Sequence, residues 1–145
     1  MGIEVVRFQS TWYQSYRQFL EDVFAEASTL YHQGHDILQL TIDSYKGSLM
    51  QGPVESSVAT VMYDTRKVSH AGKDLYAEIF EAGIFTRYDT LVTRVSNKAN
   101  EVASRGAKVI SLSFDSYRSW WHNASFNKKK QQEYEDSIAI LLWEA

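Results

Sequence analysis

Apolar positions in the first third of the chain recur at spacings of 4, 3, 4 and 3 through Tyr16, Leu20, Val23, Ala27 and Leu30. That rhythm places them on one face of a helix with 3.6 residues per turn, and Phe19, Phe24 and Tyr31 widen the stripe. Thr11 followed by Gln14 has the form of a capping box, so the helix is expected to begin there. Leu38, Ile42, Tyr45 and Leu49 continue the spacing beyond Gly34, which predicts a second helix or one long helix bent at the glycine. Lys46-Gly47-Ser48 and Gln51-Gly52-Pro53 end this section, because proline disfavours a helical residue before it. Ahead of it, Ile3 to Phe8 is a β-branched run that reads as a strand or extended arm.

The second part of the chain is more mixed. Val58 to Tyr63 is a compact apolar run that fits a buried strand, although periodicity alone also allows the middle of a helix. Leu75, Ile79 and Ala82 fit a helical face within 71–82, with Gly83 placed to cap it in a left-handed conformation. Thr90 to Val95 is rich in β-formers and is read as a strand with a short helix from Ser96, in preference to one helix carrying Leu91, Val95 and Val102. Lys108 to Phe114 and Ser137 to Trp143 read as strands, the latter with the continuous apolarity of a strand covered on both faces. No repeat with a period of 20 to 50 residues is visible. This order predicts an α/β fold in one domain, 1–145: a helical N-terminal section, about 11–50, packed on a small, mostly parallel sheet, about 54–145.

Composition narrows the function classes. The chain has 145 residues, 44% hydrophobic and 23% charged, enough to build a core. The absence of cysteine removes disulfides, thiolate metal sites and cysteine nucleophiles. The net charge of -3 is concentrated in residues 11–50, where Arg17 and Lys46 face Glu21, Asp22, Glu26, Asp36 and Asp43. Such a balance argues against a basic face for general nucleic-acid affinity and leaves room for a local basic patch. The N-terminus lacks the order of a secretory signal, and no apolar run approaches the roughly 18 residues of a membrane span. The expectation is a soluble cytoplasmic protein without a membrane partner.

Three groups of side chains carry candidate chemistry. His32, His35 and Asp36 form a His-x-x-His-Asp group whose spacing puts both imidazoles on one side of a helix. A metal needs further ligands, and the other histidines, His70 and His122, are distant, so a surface helix end is the reading taken and no metal or cofactor is assigned. Tyr117, Arg118, Trp120, Trp121 and His122 make the densest aromatic stretch, with Lys128, Lys129 and Lys130 close behind. Aromatics with arginine suit a protein interface, and aromatics with lysine suit single-stranded nucleic acid. Arg66 with His70, and Arg118 with His122, each put a base near a guanidinium, as phosphoester chemistry requires. No nucleophile elbow or nucleotide-binding glycine loop occurs.

Longer phrases carry a family resemblance. The run from Lys67 through Ser69, His70 and Gly72 to Gly83 resembles the first phosphate loop and following helix of sugar isomerase (SIS) domains. Arg105 to Ser113 resembles their later passage from helix to strand, and Tyr134 to Ile140 their closing strand. The resemblance implies recognition of a phosphosugar or similar anion by Ser69, Ser96 and Ser113, with Lys67 and Lys98 nearby. Both loops lack the family's glycines, so it implies a binding descendant and no catalytic residue is carried over. The leading expectation is thus a small non-catalytic binding or regulatory protein acting through a protein interface, with another protein or a second copy as partner. An SIS-like phosphosugar-binding domain is the alternative, and a nucleic-acid-binding protein or nuclease the third reading.

Overall fold

The chain opens with strand β1 (Ile3–Gln9) and helix α1 (Tyr16–His32). In this computed structural model residues 2–11, 14–49, 52–82, 87–117 and 136–145 are described. The helix cap is Ser15, whose hydroxyl accepts from the Gln18 amide at 3.1 Å. Thr11 and Gln14 close a turn just ahead of it, with the Thr11 amide donating to Gln14 Oε1. The buried face of α1 is Tyr16, Phe19, Leu20, Val23, Ala27 and Tyr31, as the 4-3-4-3 spacing predicts. Gly34 stops the helix: it adopts φ of 97°, where a side chain would be strained, and its amide donates to the Tyr31 carbonyl at 3.0 Å.

Beyond Gly34 the helical expectation fails. The chain forms a long antiparallel hairpin of β2 (His35–Leu49) and β3 (Gly52–Lys67). Residues four apart also share a strand face, so Leu38 and Ile42 satisfy both periods. Register shifts between His35 and Ile37 and between Ile37 and Gln39 then change the strand's phase, which lets Ile37, Leu40 and Ile42 all face the core and blurs the alternation. Lys46-Gly47-Ser48 lies within β2, and the chain reverses after Leu49, which pairs with Gly52.

Two further assignments are corrected. Residues 75–82 form strand β4 (Leu75–Ala82), not a helix, and Gly83 lies outside the described residues. Leu75, Ala77 and Ile79 pack towards α1 while Phe80 and Ala82 pack the other way. A strand buried on both faces loses its two-residue period, and a helical spacing arises by coincidence. Residues 90–95 belong to helix α2 (Tyr88–Ser104), whose buried side is Leu91, Val95 and Val102. Strands β5 (Lys108–Tyr117) and β6 (Asp136–Glu144) complete the described fold. Among the described residues no helix is long and apolar enough to cross a membrane.

The sheets are antiparallel, which overturns the expected helical section on a mostly parallel sheet. The first has the order β1-β3-β2 and the second β4-β6-β5, every neighbouring pair antiparallel. A parallel pair needs a crossover of a dozen or more residues, and the β2–β3 connection is far too short for one. The chain therefore reads as two β-α-β-β units with the same strand order. Element starts at residues 3, 16 and 35 recur at 75, 88 and 108, and each helix has 17 residues. Helix α1 lies on the side where Ile138, Ile140 and Leu142 of β6 are buried; α2 covers Ala139 and Leu141 on the opposite side.

The units meet along β2 and β5, which run in the same direction. Ser111 Oγ accepts from the Leu40 amide at 3.1 Å and donates to the Leu40 carbonyl at 2.8 Å, and Ser113 Oγ accepts from the Ile42 amide at 3.0 Å. Ser44 Oγ then donates to Asp115 Oδ2, which also accepts from the Tyr16 hydroxyl at 2.7 Å. Hydroxyls thus stand where backbone groups would complete a ladder. Burial, then the bond and charge of Asp115, hold the Tyr16 phenol far above its ordinary range; the Tyr63 phenol, bonded to Glu4 Oε2 at 2.5 Å, is raised too.

This predicts alkaline sensitivity. The unfolded chain loses these phenolic protons near pH 10 while the native chain keeps them, so the unfolded state binds fewer protons and stability falls as pH rises. Urea midpoints measured at pH 9 and pH 11 should show the fall, and Tyr16→Phe should reduce it. An equal fall in that variant would contradict the assignment to Tyr16.

Candidate functional site

A group of polar side chains gathers where the first unit passes into the second. The passage, residues 68–74, is fixed at both ends. The Val68 amide donates to the Gly34 carbonyl at 2.8 Å, and Asp74 exchanges two backbone bonds with Ala145, at 2.7 and 3.0 Å. Between them Ala71 and Gly72 take positive φ, 52° and 81°, and turn the chain. This turn lays the His70 ring flat on Tyr31 of α1, with centroids 3.6 Å apart and planes 16° from parallel.

His70 Nδ1 then faces two carboxylates: Glu144 Oε2 at 3.4 Å, from the end of β6, and Asp36 Oδ1 at 3.8 Å, from the start of β2. The His70 and Glu144 side chains are each 12% exposed, whereas Asp36 is 42% exposed and opens the group to solvent. The Tyr31 hydroxyl donates to Glu144 Oε2 at 2.8 Å. Burial, that bond, and then the charges of Glu144, Asp74 and Asp36 together hold the Tyr31 phenol well above its ordinary range. Among the described buried side-chain polar atoms, His70 Nε2 is the one without a hydrogen-bond partner.

The His-x-x-His-Asp group does not assemble as its spacing suggests, because Gly34 ends the helix inside it. His32 Nε2 meets Asp74 Oδ1 at 3.1 Å, and His35 Nδ1 lies 3.0 Å from the Asp64 carbonyl. Asp36 alone turns to His70. Arg66 does not act with His70 either; its guanidinium holds Asp64 at 2.8 Å and lowers that carboxyl to about 2. No spacing in the sequence joins Asp36, His70 and Glu144, which come from β2, the passage and β6.

The residues suggested by the SIS resemblance are dispersed. Ser69 is exposed in the passage, its hydroxyl accepting from the Ala71 amide, and Lys67 ends β3 opposite His35. Ser96 is exposed on α2, where Lys98 Nζ sits 5.7 Å from the Trp143 ring centre and 3.8 Å from Glu101. Ser113 pairs opposite Ile140, on the α1 side of the sheet, and is engaged with β2. The sheet therefore separates Ser113 from Ser96. Tyr117 closes β5, and Arg118, Trp120, Trp121 and His122 lie outside the described residues.

The sheet ends differ from one another. At β4, the carbonyls of Ile79 and Glu81 accept from Arg17 of α1 and Arg94 of α2, at 3.2 and 3.3 Å. These arginines line a shallow cleft of about 480 Å³ between α1 and β4. At β1, no comparable side-chain bond to the strand backbone is found among the described residues, and Ile3 and Val5 are each 61% exposed.

No family model, curated protein or solved structure matches the chain.

Proposed function

We propose that the protein is a non-catalytic binding protein whose working surface is a protein interface along β1, and that a second copy of the chain occupies it. The observation that carries this reading is the contrast between the two sheet ends. Folded proteins blunt their end strands with charges, prolines, bulges or covering side chains, because unpaired amides and carbonyls invite another strand. Strand β4 has two arginines on its carbonyls. Strand β1 has neither proline nor lysine in its sequence Ile-Glu-Val-Val-Arg-Phe-Gln; its two charges, Glu4 and Arg7, are engaged by Tyr63 and Gln9, and it presents Ile3 and Val5 to solvent.

The sequence of β1 suits pairing with itself. Antiparallel alignment about Val5 sets Val5 beside Val5, Ile3 beside Arg7 and Glu4 beside Val6, so that no like charges are opposed. Such a contact closes on itself by two-fold symmetry, as most homodimers do. It would add a strand to each first sheet without disturbing the core.

Sedimentation equilibrium across the micromolar range tests this directly. The wild-type chain is expected to be a dimer, and Val5→Lys, which places two ammonium groups face to face at the symmetry point, a monomer with an unchanged far-ultraviolet circular dichroism spectrum. A monomeric wild type overturns the reading, and so does a dimer that survives both Val5→Lys and Ile3→Lys.

A further inference from the structure

From the convergence of Asp36, His70 and Glu144, we propose that the passage between the two units holds a divalent transition-metal ion, with Zn²⁺ as the fitting occupant. One ligand atom from each residue lies within 4.8 Å of the other two. Bonds from zinc to imidazole and carboxylate are about 2.0–2.2 Å, which sets neighbouring ligands of a tetrahedron about 3.3–3.6 Å apart. From His70 Nδ1 the 3.4 Å separation already meets that spacing and the 3.8 Å one needs a small contraction, while the two carboxylate oxygens, within 4.8 Å of each other, close on the ion as it binds.

Three features beyond the trio support the site. Tyr31 donates to the Glu144 oxygen nearest His70 and stacks on the imidazole, so one side chain orients two of the ligands, as outer partners of metal ligands do. The ligands come from separate parts of the fold and are held there by backbone bonds, Asp74 with Ala145 and Val68 with Gly34. Two carboxylates against one imidazole leave an excess of negative charge, with Asp74 close by on His32, and a divalent cation offsets it. One imidazole nitrogen with two oxygens suits zinc better than calcium or magnesium, which prefer oxygen alone. The exposed side of Asp36 leaves the fourth position to water.

An ion here would tie together the first unit through Asp36, the passage through His70 and the second unit through Glu144. Metal that binds only the folded chain stabilises it by an amount that grows with the logarithm of its concentration relative to Kd.

The test uses the full chain with ZnCl₂ alone in isothermal titration calorimetry, paired with thermal melts and with Co²⁺ as a visible-absorption probe. Expected are saturation at one ion per chain, a rise in melting temperature, and Co²⁺ bands of a nitrogen and oxygen site. Asp36→Asn preserves shape at a partly exposed position and should abolish saturable binding, and Tyr31→Phe keeps the stack but should weaken binding by roughly 10–100-fold. Glu101→Gln, which removes an exposed carboxylate on α2 across the second sheet, should leave the affinity unchanged. Absence of saturable heat and of Co²⁺ bands in the wild type overturns the proposal, leaving an ion pair. Binding that is equal in Asp36→Asn and wild type overturns it as well.

Discussion

Leu142→Ala is expected to be the most damaging single change at a non-polar position, costing about 2–5 kcal/mol. Leu142 is fully buried on β6, the central strand of the second sheet, with strands on either side and α1 above it. Its neighbours in the α1-side core come from both units, among them Leu40 and Val61 of the first and Ile140 of the second. A cavity there cannot close by the movement of one loop, so little of the lost contact is recovered. For a chain of this size each kcal/mol lowers the melting temperature by roughly 2–4 °C. A calorimetric melt should therefore show a fall of at least several degrees; an unchanged transition would mean that β6 is not the common wall of the two cores.

Ser111→Ala should rank next, and its cost is out of proportion to the single oxygen removed. Ser111 is 9% exposed, and its hydroxyl serves both the amide and the carbonyl of Leu40. Alanine leaves both backbone groups buried and unpaired, at about 1–3 kcal/mol for each group so stranded. Ser113→Ala should cost less, because its bond to the Ile42 amide is only partly buried. Urea titrations of both variants check the order. If Ser113→Ala proves the more harmful, the hydroxyls at this boundary do not carry the load assigned to them.

How much of this the sequence disclosed depends on how many faces of each element are covered. Helix α1 has one buried face, and its spacing gave both its existence and its buried residues. Strand β6 is buried on both sides, and its unbroken apolar run was legible for that reason. Between these limits the signal failed. Leu75, Ile79 and Ala82 mimic a helix because β4 divides its apolar residues between two cores. Leu38 and Ile42 mimic one because a spacing of four suits both periods, and the bulges near Ile37 hide the alternation. In α2 Leu91, Val95 and Val102 keep a helical spacing, and the β-forming residues among them mask it. Direction in the sheets could be read from Gln51-Gly52-Pro53 as a reversal between strands, once 35–49 is seen to be extended.

The candidate site was legible only in fragments. Asp36 stands beside His32 and His35 in the sequence, and His70 near Arg66, but spacing pairs each only with its sequence neighbours. Glu144 and Tyr31 carried no signal of chemistry at all. What brings them together is the reversal at Ala71 and Gly72 and the docking of Ala145 on Asp74, neither of which a spacing rule expresses.

The boundary between β2 and β5 also fixes their register. A serine hydroxyl gripping a main chain cannot tell one residue from the next, so sliding β2 by two positions would offer Ser111 and Ser113 equivalent amides. Asp115 breaks that degeneracy, because it takes the side chains of Ser44 and Tyr16 and finds no such pair after a slip. It acts as the pawl of a ratchet whose teeth are otherwise identical.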